Sequence, residues 1–534
     1  MRKFYFCIHF FLLSLLFLGL FGCSSFSSNN SEQTFESSDE QKLSFILSNN
    51  KINNINLDDE SIDFCNAFYA KRNYKTIWVK NDAIMRSDHD FLDYLNNDVS
   101  LNLPEGFTRT PDFTRDNNNL YEREIIAVLK LAEYLDIQEN GFIDFKDATF
   151  KTHKFIDFNK LDRFIKGKNR SVSWELYTMS YSHKDSRIPK LHNSLNKFTS
   201  NYPLDDKASE LSLPHDTVGH TNNKVATTLK ERGFISDITI SSDSLREVLK
   251  EYQYFNGLNP DGVTGKNTIK ILNETNLDRY HKGIIALEKL KSIPDSLIAS
   301  KFIEVNIPSF MLRFFNADTL VSEHKVVVGA NTTQTPEFSA PIKYIVTHPY
   351  WHVPYSIAST EILHGARNDS TFFEKRSYTL LDSGKVISPN EINWNDIKAS
   401  NFPYSVRQGG GRTNSLGLIK ILFPNTEAVY IHDTPSKHLF ERDIRNFSHG
   451  CIRTENPLEL SRNILAIENH VYMDSIDTLV QKDRETYLKI NAPFLVHINY
   501  RTAESDDSTK QVRFYQDIYS REKKLLQLFD EPTP

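Results

Sequence analysis

The chain has 534 residues, more than one compact core can hold, which predicts about three or four structural units. Hydrophobic residues make up 39% of the chain and aromatic residues 12%, enough apolar surface to exclude wholesale disorder. The formal net charge is -6 and no arginine-lysine block stands out, so the chain lacks the basic field that a nucleic-acid partner requires.

The first residues have the pattern of a secretory signal, because "MRK" precedes an apolar run from Phe4 to Phe21. The run ends in "LFGC", which resembles the lipobox at which bacterial lipoproteins are cleaved and acylated. This resemblance implies a signal peptide over 1–22, lipidation of Cys23 and a periplasmic location, anchored to the envelope membrane and most compatible with the outer membrane. The alternative is a transmembrane anchor, for which ~20 apolar residues are needed and this run is slightly short.

The next part of the chain changes from a tether to a helical domain. Residues 23–41 are rich in polar residues without apolar periodicity, which predicts a flexible tether. Helical spacing then recurs, for example in "YEREIIAVLKLAEYLDI", and predicts a mostly helical scaffold domain over 42–205. Cys65 lies on an apolar stripe and is expected to be a packed core thiol. A disulfide between Cys65 and Cys451 would instead remove Cys451 from any catalysis.

A small helical module is predicted over 206–295. Two amphipathic segments flank "NGLNPDGVTG", a stretch dense in turn-forming residues, so the unit is helix, loop and helix. The stretch Asp261 to Thr268, "DGVTGKNT", resembles the D-G-x-x-G-x-x-T signature of peptidoglycan-binding-like domains. The alternative is that the glycines only form turns.

Strand patterns begin near residue 300, where "KFIEVNIPSFMLRFF" and "IKYIVTHPYWHV" are enriched in β-branched and aromatic residues. A mainly β domain is predicted over 300–500. A long polar insertion, about 356–413, interrupts it and is typical of a lid or binding loop. A C-terminal extension, 501–534, is expected to pack on the scaffold or on the β domain.

The stretch "NFSHGCIRTE" contains the strongest chemical signal. A cysteine thiol becomes a nucleophile when a base or cation and partial exposure favour its thiolate, and Cys451 has His449 two residues before it. In extended backbone these two side chains would share a face, whereas His432 lies 19 residues upstream. Gly450 allows a turn whose N–H groups could stabilise an oxyanion, and Arg453 offers a donor fork for a carboxylate.

Other interpretations of these residues are weaker. A core cysteine would not have polar and charged neighbours on both sides. A zinc site would lack the paired close spacings of structural zinc, and its candidate ligands are His432, His438, His449 and Cys451. "GGG", at 409–411, lacks the Lys-Ser/Thr ending of a phosphate-binding loop.

The segment "IHDTP" followed by "SHGCIR" is similar to the H-x(14–17)-[ST]-H-G-C signature of the L,D-transpeptidase (YkuD-like) family. "PYWHVPYSIASTEIL" and "RQGGGRTNSLGLIKILFPN" further resemble its large periplasmic YcbB-like subgroup, although relatives tend to have Pro near the first glycines of the second stretch. The resemblance implies a multidomain α+β protein: a helical scaffold, a peptidoglycan-binding-like module and a mainly β, β-sandwich-like catalytic domain with an inserted lid.

The resemblance also implies roles for individual residues. Cys451 would be the nucleophile, His432 the proton acceptor and donor, and His449 a part of the oxyanion site or an alternative base. The expected substrate-binding residues are Ser448, Gly450, Arg453, Tyr430 and Trp351. No metal or organic cofactor is implied.

The implied reaction joins peptidoglycan stem peptides. Cys451 would attack a tetrapeptide donor, release its terminal D-alanine and form a thioester, which the diaminopimelate amine of an acceptor stem would resolve as a 3→3 cross-link. Carbapenem-type β-lactams are the expected covalent inhibitors. The alternatives are an L,D-carboxypeptidase, a transpeptidase that anchors proteins to peptidoglycan, and a non-catalytic, lipid-anchored wall-binding protein.

Overall fold

The computed structural model describes residues 38–49, 51–52, 55–80, 83–84, 94–95, 119–151, 154–168, 172, 177–178, 184–204, 211, 218–492 and 494–529. The predicted signal peptide, the lipidation site Cys23 and most of the predicted tether lie outside these residues. Within the described part of the chain, no helix combines the length and the apolarity that crossing a membrane requires.

The N-terminal region is a helical domain built around a long buried helix. Its helices are α1 (Asp39–Ser48), α2 (Asp59–Lys71), α3 (Leu120–Asn140), α4 (Phe158–Gly167) and α5 (Arg187–Asn201). Short antiparallel ribbons connect them: β1 (Lys51–Ile52) with β2 (Ile55–Asn56), β3 (Val79–Lys80) with β4 (Ala83–Ile84), and β5 (Ile143–Asp144) with β6 (Thr149–Phe150). A capping box at Ser38 starts α1 inside the segment predicted as tether. Cys65 on α2 is fully buried, as its apolar stripe predicts.

The small module consists of α6 (Val218–Glu231), α7 (Ser242–Phe255) and α8 (Lys266–Asn273) around its own apolar core. The buried Gln253 orders the loop between α7 and α8, because its amide donates to the Asp261 carboxylate at 2.7 Å and to the Thr268 hydroxyl at 3.0 Å. Gly262 has φ +69° and a Cβ there would meet the Arg246 side chain at 2.5 Å. The signature residues Asp261, Gly262 and Thr268 therefore shape the loop itself.

Two helices, α9 (Asn276–Lys291) and α10 (Asp295–Ile298), lead from the module into the β domain. The strands of that domain are β7 (Lys301–Asn306), β8 (Met311–Asn316), β9 (Thr319–Gly329), β10 (Phe338–Pro341), β11 (Tyr344–Thr347), β12 (Trp351–His352), β13 (Tyr378–Asp382), β14 (Lys385–Ile387), β15 (Ser405–Gln408), β16 (Ile419–Leu422), β17 (Ile431–His432), β18 (Asn446–Ser448), β19 (Ile452–Thr454), β20 (Thr486–Lys489) and β21 (Leu495–Asn499).

Eleven strands of the described chain form one mixed sheet in the order β10-β21-β7-β8-β9-β19-β17-β16-β11-β20, with β18 paired to β9. Both ends of this sheet contribute to a single apolar core. Phe338 from β10 and Phe423 after β16, for example, place their ring centroids 6.1 Å apart. The sheet therefore curls until its two halves face each other, as the layers of a sandwich do.

The predicted lid is a subdomain with its own sheet and core. Its strands pair in the order β12-β15-β13-β14, and its buried residues extend from Ala358 to Val406. The helices are α11 (Tyr355–Ile357), a π-helical turn (Ala358–Ile362), α12 (Leu363–Asn368) and α13 (Phe372–Lys375), with 3-10 turns at Pro389–Glu391 and Ala399–Asn401. Paired strands and a buried core make the insertion a folded unit rather than a long loop.

The remaining elements follow the central strands. A 3-10 turn (Lys437–Glu441) lies between β17 and β18, and α14 (Pro457–Ile467) and α15 (Ile476–Gln481) follow β19. The C-terminal residues form β22 (Ala503–Ser505), β23 (Val512–Phe514) and α16 (Lys523–Gln527). This extension contacts the scaffold, since Ser505 and Ser194 hydroxyls lie 2.8 Å apart and Phe514 packs against Phe198.

A buried ion cluster joins the scaffold to the β domain. Glu304 on β7 accepts a bidentate pair of hydrogen bonds from Arg501, each 2.9 Å, and a third from Arg187 on α5 at 2.7 Å. Glu304 and Arg501 are 1% and 2% exposed, so their charges are compensated by each other rather than by water. The helical scaffold, the helical module and the mainly β domain together confirm the predicted multidomain α+β class.

Candidate active site

Three neighbouring strands present a polar surface on one face and an apolar surface on the other. β16 pairs antiparallel with β17, which pairs parallel with β19, so that Lys420 is opposite His432 and His432 is opposite Arg453. Residues opposite each other in paired strands share a face, and alternate residues along a strand do too. The residues between them are fully buried in the core: Ile421, Ile431 and Ile452. The polar face therefore carries Lys420, Tyr430, His432, Cys451 and Arg453.

Cys451 lies where the chain enters β19, beside Tyr430. Its thiol is free and partly buried, and its sulfur lies 3.8 Å from the Ala428 carbonyl oxygen. Burial raises the pKa of Cys451, while the backbone N–H and hydroxyl of Tyr430 and the charges of Lys420 and Arg453 act to lower it. The resting thiol is therefore protonated at neutral pH and needs a base to become a nucleophile.

His432 has the properties of a neutral proton acceptor. It is buried, and its Nδ1 lies 2.5 Å from the Asp433 carbonyl oxygen. A carbonyl oxygen can only accept, so Nδ1 carries the proton and Nε2 keeps its lone pair. Burial, helped by the positive charges of Arg453, Lys420 and Lys437, lowers the pKa of His432 to about 3. The imidazole is thus neutral across the physiological range.

The turn before Cys451 is built around Gly450. Gly450 has φ +112°, a conformation that L side chains rarely adopt, and its N–H donates to the Ser448 hydroxyl at 3.1 Å. The Ser448 hydroxyl in turn donates to the Cys451 carbonyl at 2.5 Å. Ser448 therefore holds the turn, and the Gly450 N–H is already occupied by it.

A second layer of hydrogen bonds supports this turn from the loop after β9. The Thr335 hydroxyl donates to the Gly450 carbonyl at 2.8 Å, and the Thr333 hydroxyl donates to the Ser448 carbonyl at 3.0 Å. The Tyr519 hydroxyl, from the C-terminal extension, donates to the Gly329 carbonyl at 2.5 Å. The C-terminal extension thus fixes the strand end on which the turn rests.

His449 contacts the insertion. Because the chain turns at Gly450, His449 and Cys451 are not two positions of one extended strand, as adjacency alone would suggest. The His449 Nε2 lies 2.7 Å from a Glu361 carboxylate oxygen on the π-helical turn of the insertion, and both side chains are about half exposed. His449 therefore connects the cysteine loop to the insertion, and its predicted part in an oxyanion site stays a prediction.

The two predicted aromatic residues contact each other. The indole of Trp351, on β12, lies near enough to the Tyr430 hydroxyl to lower its pKa, and Lys420 places its ammonium 3.8 Å from the centroid of the Tyr430 ring. Burial, followed by the nearby Cys451, raises the pKa of Tyr430. Tyr430 thus remains a neutral hydroxyl that links the thiol to the base of the insertion.

Arg453 faces open space. Burial lowers its pKa, against the charges of Cys451 and Glu361, and no oxygen of a described residue accepts a hydrogen bond from its guanidinium. Arg453 lines a cavity of about 520 Å³ between the β domain and the insertion. We call this cavity the basic cleft; its other lining residues include Lys375, Arg376, Thr434 and Ser436. An unpaired guanidinium in such a place suits an anionic ligand.

Two residues of the site were missed from the sequence. Lys420 is a single charge within the apolar strand "LIKIL", and a charge interrupting an apolar strand is a usable signal. Glu361 gave no comparable signal, because its contact with His449 depends on how the insertion docks. Among the described residues no group of three or more His, Cys, Asp and Glu side chains could hold a metal ion.

Comparison with known proteins assigns this region to a family. Residues 300–481 match the family described as "L,D-transpeptidase catalytic domain", and residues 224–272 match a "Putative peptidoglycan binding domain". The chain therefore carries a catalytic domain of the L,D-transpeptidase (YkuD) family together with a peptidoglycan-binding domain, and the resemblance inferred from the His432 and Cys451 motif is confirmed.

One curated relative is a "Putative L,D-transpeptidase" of Haemophilus influenzae, 33% identical over 217 residues, or 40% of this chain. The chain spans 43% of that relative's length. Among solved structures, it is similar to "L,D-transpeptidase from Mycobacterium smegmatis" (11% identity, TM-score 0.19, 38% of this chain and 58% of that one). It is also similar to "Structure of the Ldtfm-avibactam carbamoyl enzyme" (14% identity, TM-score 0.17, 40% of this chain and 61% of that one).

Proposed function

We propose that this protein is a peptidoglycan L,D-transpeptidase of the YcbB-like subgroup that forms 3→3 cross-links through a Cys451 thioester. The observation that carries the proposal is the shared sheet face of His432 and Cys451. A neutral imidazole with a free Nε2 on β17 and a protonated thiol just before β19 lie on the same face of the paired strands, an arrangement that favours proton transfer between them.

The first half-reaction acylates the enzyme. His432 takes the thiol proton as the Cys451 sulfur attacks the carbonyl carbon at the diaminopimelate centre of a tetrapeptide donor. The C–N bond to the terminal D-alanine then breaks, and the departing amine receives the proton from His432. The Arg453 guanidinium, on the same sheet face, is suited to bind a stem-peptide carboxylate.

The second half-reaction releases the product. The diaminopimelate amine of an acceptor stem attacks the thioester carbonyl, the C–S bond breaks, and the amine proton returns through His432 to the sulfur. Water in place of the amine would make the protein an L,D-carboxypeptidase, and a protein amine would make it a protein-anchoring enzyme. All three reactions would use the same residues on the paired strands β16, β17 and β19.

The N-terminal sequence supports a proposal about the location. We include in the proposal that Cys23 carries lipid and that the protein acts in the periplasm, attached to the envelope membrane, most compatibly the outer one. The peptidoglycan-binding domain would keep the catalytic site close to its polymer. Labelling cells with a radioactive fatty acid tests this, because Cys23→Ser should abolish incorporation into the protein.

The activity is tested with tetrapeptide muropeptides and the purified protein lacking residues 1–23. The expected product has the mass of a cross-linked dimer minus one D-alanine, and Cys451→Ser should abolish it. Tripeptide monomer alone would contradict cross-linking and indicate the carboxypeptidase. Exposure to a carbapenem should give a covalent adduct on Cys451, and an unmodified protein would instead support a non-catalytic, wall-binding role.

A further inference from the structure

The basic cleft has a chemical character that differs from the rest of the site. Three cationic side chains line it, Lys375, Arg376 and Arg453, against the single carboxylate of Asp369. Asp369 is engaged with Lys375 at 2.9 Å. The two arginines therefore carry the excess positive charge, one from each wall.

Both guanidinium groups are available to a ligand. The Arg376 guanidinium stacks over the Phe372 ring at 5.3 Å, and no described residue accepts a hydrogen bond from it. The backbone of Arg376 is fixed, because its carbonyl accepts a hydrogen bond from the buried Gln408 at 2.9 Å. Arg376 is thus held in place with no ion pair to a described residue, whereas Arg453 on the opposite wall is influenced by the charge of Glu361 without a hydrogen bond to it.

The cleft lies on the His432 side of the thiol. In the pairing of β17 with β19, Tyr430 is opposite Cys451, and His432 is opposite Arg453. Thr434 and Ser436, which line the cleft, follow His432 in the chain. Because β17 and β19 run parallel, the cleft lies beyond His432 as seen from the sulfur. An acceptor amine that reaches the thioester from the cleft would therefore pass His432, the group that must take the proton of the amine.

We propose that the basic cleft is the subsite for the acceptor stem peptide, and that Arg376 and Arg453 bind the carboxylate beside the attacking amine. This inference rests on the proposed function. Two guanidinium groups also disfavour the ammonium form of a nearby amine, so they increase the fraction of free amine at neutral pH. The amine nitrogen then bonds to the thioester carbon, the C–S bond breaks, and the proton passes through His432 to the sulfur.

Arg376 is the residue to test, because it belongs to the insertion rather than to the family motif. Arg376→Ala should raise the acceptor concentration needed for half-maximal cross-linking about tenfold, the loss expected for a charge-assisted hydrogen bond. Arg376→Lys keeps the positive charge and should therefore show a smaller increase in that acceptor concentration than Arg376→Ala. The matched control is Lys385→Ala, which removes an exposed cation on β14 outside the cleft and should change nothing.

A binding measurement separates this proposal from the function on which it rests. Calorimetry with Cys451→Ser and an unacylated acceptor peptide requires no catalysis. Adding Arg376→Ala to Cys451→Ser should weaken peptide binding about tenfold. Replacing the diaminopimelate carboxylate of the peptide by a carboxamide should weaken binding by the same factor. Combining the two changes should cause no further loss of affinity. Equal affinities for the Arg376 variant and its parent would overturn the subsite, whether or not the wild-type protein forms a thioester.

Discussion

The backbone N–H of Asn259 donates a hydrogen bond of 2.9 Å to the Asp443 carboxylate, which joins the peptidoglycan-binding domain to the loop between His432 and Cys451. The Asn259 side chain adds a second bond, to the Glu441 carbonyl at 3.0 Å. The turn-rich loop of the binding domain is thus hydrogen-bonded to the catalytic domain, and the two domains are coupled at the loop between His432 and Cys451.

Asp443→Ala should loosen that loop. Removing the carboxylate loses the hydrogen bond from the Asn259 N–H, worth about 1 kcal/mol, and a longer one of 3.5 Å from the Asn267 amide, so backbone amides over 435–445 should exchange several-fold faster in hydrogen-exchange mass spectrometry. Lys325→Ala is the control, because Lys325 contacts Glu441 of the same loop through an exposed ion pair at 3.5 Å, which contributes little. Unchanged exchange in Asp443→Ala would contradict the coupling.

The resting Cys451 should not be a thiolate. Because its pKa is raised above the ordinary value of 9.0, the protonated form persists to higher pH, and the His432 pKa of about 3 leaves no imidazolium to pair with a thiolate. The ultraviolet difference between wild type and Cys451→Ser should therefore show thiolate only above pH 9.0. Burial raises the pKa of Cys65 too, so Cys65 should add no signal. A thiolate band at neutral pH would indicate a preformed ion pair instead.

Gly450→Ala should cost both stability and reactivity. The added Cβ would have space, since its nearest neighbours lie 3.9 Å away, but φ +112° strains an L residue by about 1–3 kcal/mol. Relief of that strain would move the Cys451 turn, so the rate of carbapenem adduct formation should fall at least tenfold. Gly384→Ala is the matched control, with φ +82°, open space and a place in the insertion. Gly384→Ala should lower stability without changing the rate of carbapenem adduct formation. Equal adduct rates for Gly384→Ala and Gly450→Ala would contradict the role of the turn.

Glu304→Gln should be strongly destabilising at neutral pH. It leaves the buried Arg501 without its bidentate partner, at a cost of about 3–5 kcal/mol, read as a lower urea midpoint. The charges of Arg187 and Arg501 hold the pKa of Glu304 well below 4.5 despite its burial. Its stabilisation is therefore present above pH 4.5 and is lost as the pH falls through the depressed pKa.

The difference in urea midpoint between wild type and Glu304→Gln should consequently shrink as the pH is lowered below about 4.5. Glu323→Gln provides the comparison, because Glu323 is 40% exposed and pairs with Arg313 at 3.2 Å. Its effect should stay below about 1 kcal/mol at every pH. A pH-independent difference for Glu304→Gln would mean that packing, not charge, accounts for the loss.

The sequence predicted local features well and long-range contacts poorly. The periodicity that places Cys65 on an apolar stripe depends on residues within two turns, and the residue is indeed buried. Pro457 is likewise a local signal, because the fixed φ of proline suits the first position of a helix, and α14 begins there. Glu361 and His449, by contrast, are 88 positions apart in the chain and meet only because the insertion folds as a subdomain with its own core.

The proposed pair of His432 and Cys451 shows the same limit of sequence-based prediction within one motif. Adjacency favoured His449 as the partner of Cys451, whereas the resemblance to a family favoured His432. Sheet pairing shows why adjacency is a weak guide here: Gly450 breaks the extended backbone next to the cysteine, while pairing between β17 and β19 places residues 21 positions apart opposite each other. Lys420 joins them through the pairing of β16 with β17, which no local pattern encodes.

The parallel pairing of β17 with β19 also determines which changes the chain can tolerate. Because Ile431 is opposite Ile452, a one-residue slip of β19 would turn the thiol into the apolar core and bring Ile452 to the surface. Residues between Asp433 and Phe447 could instead be gained or lost while the two strands stay paired. Insertions in that segment should therefore be tolerated far better during evolution than a single deletion within β19.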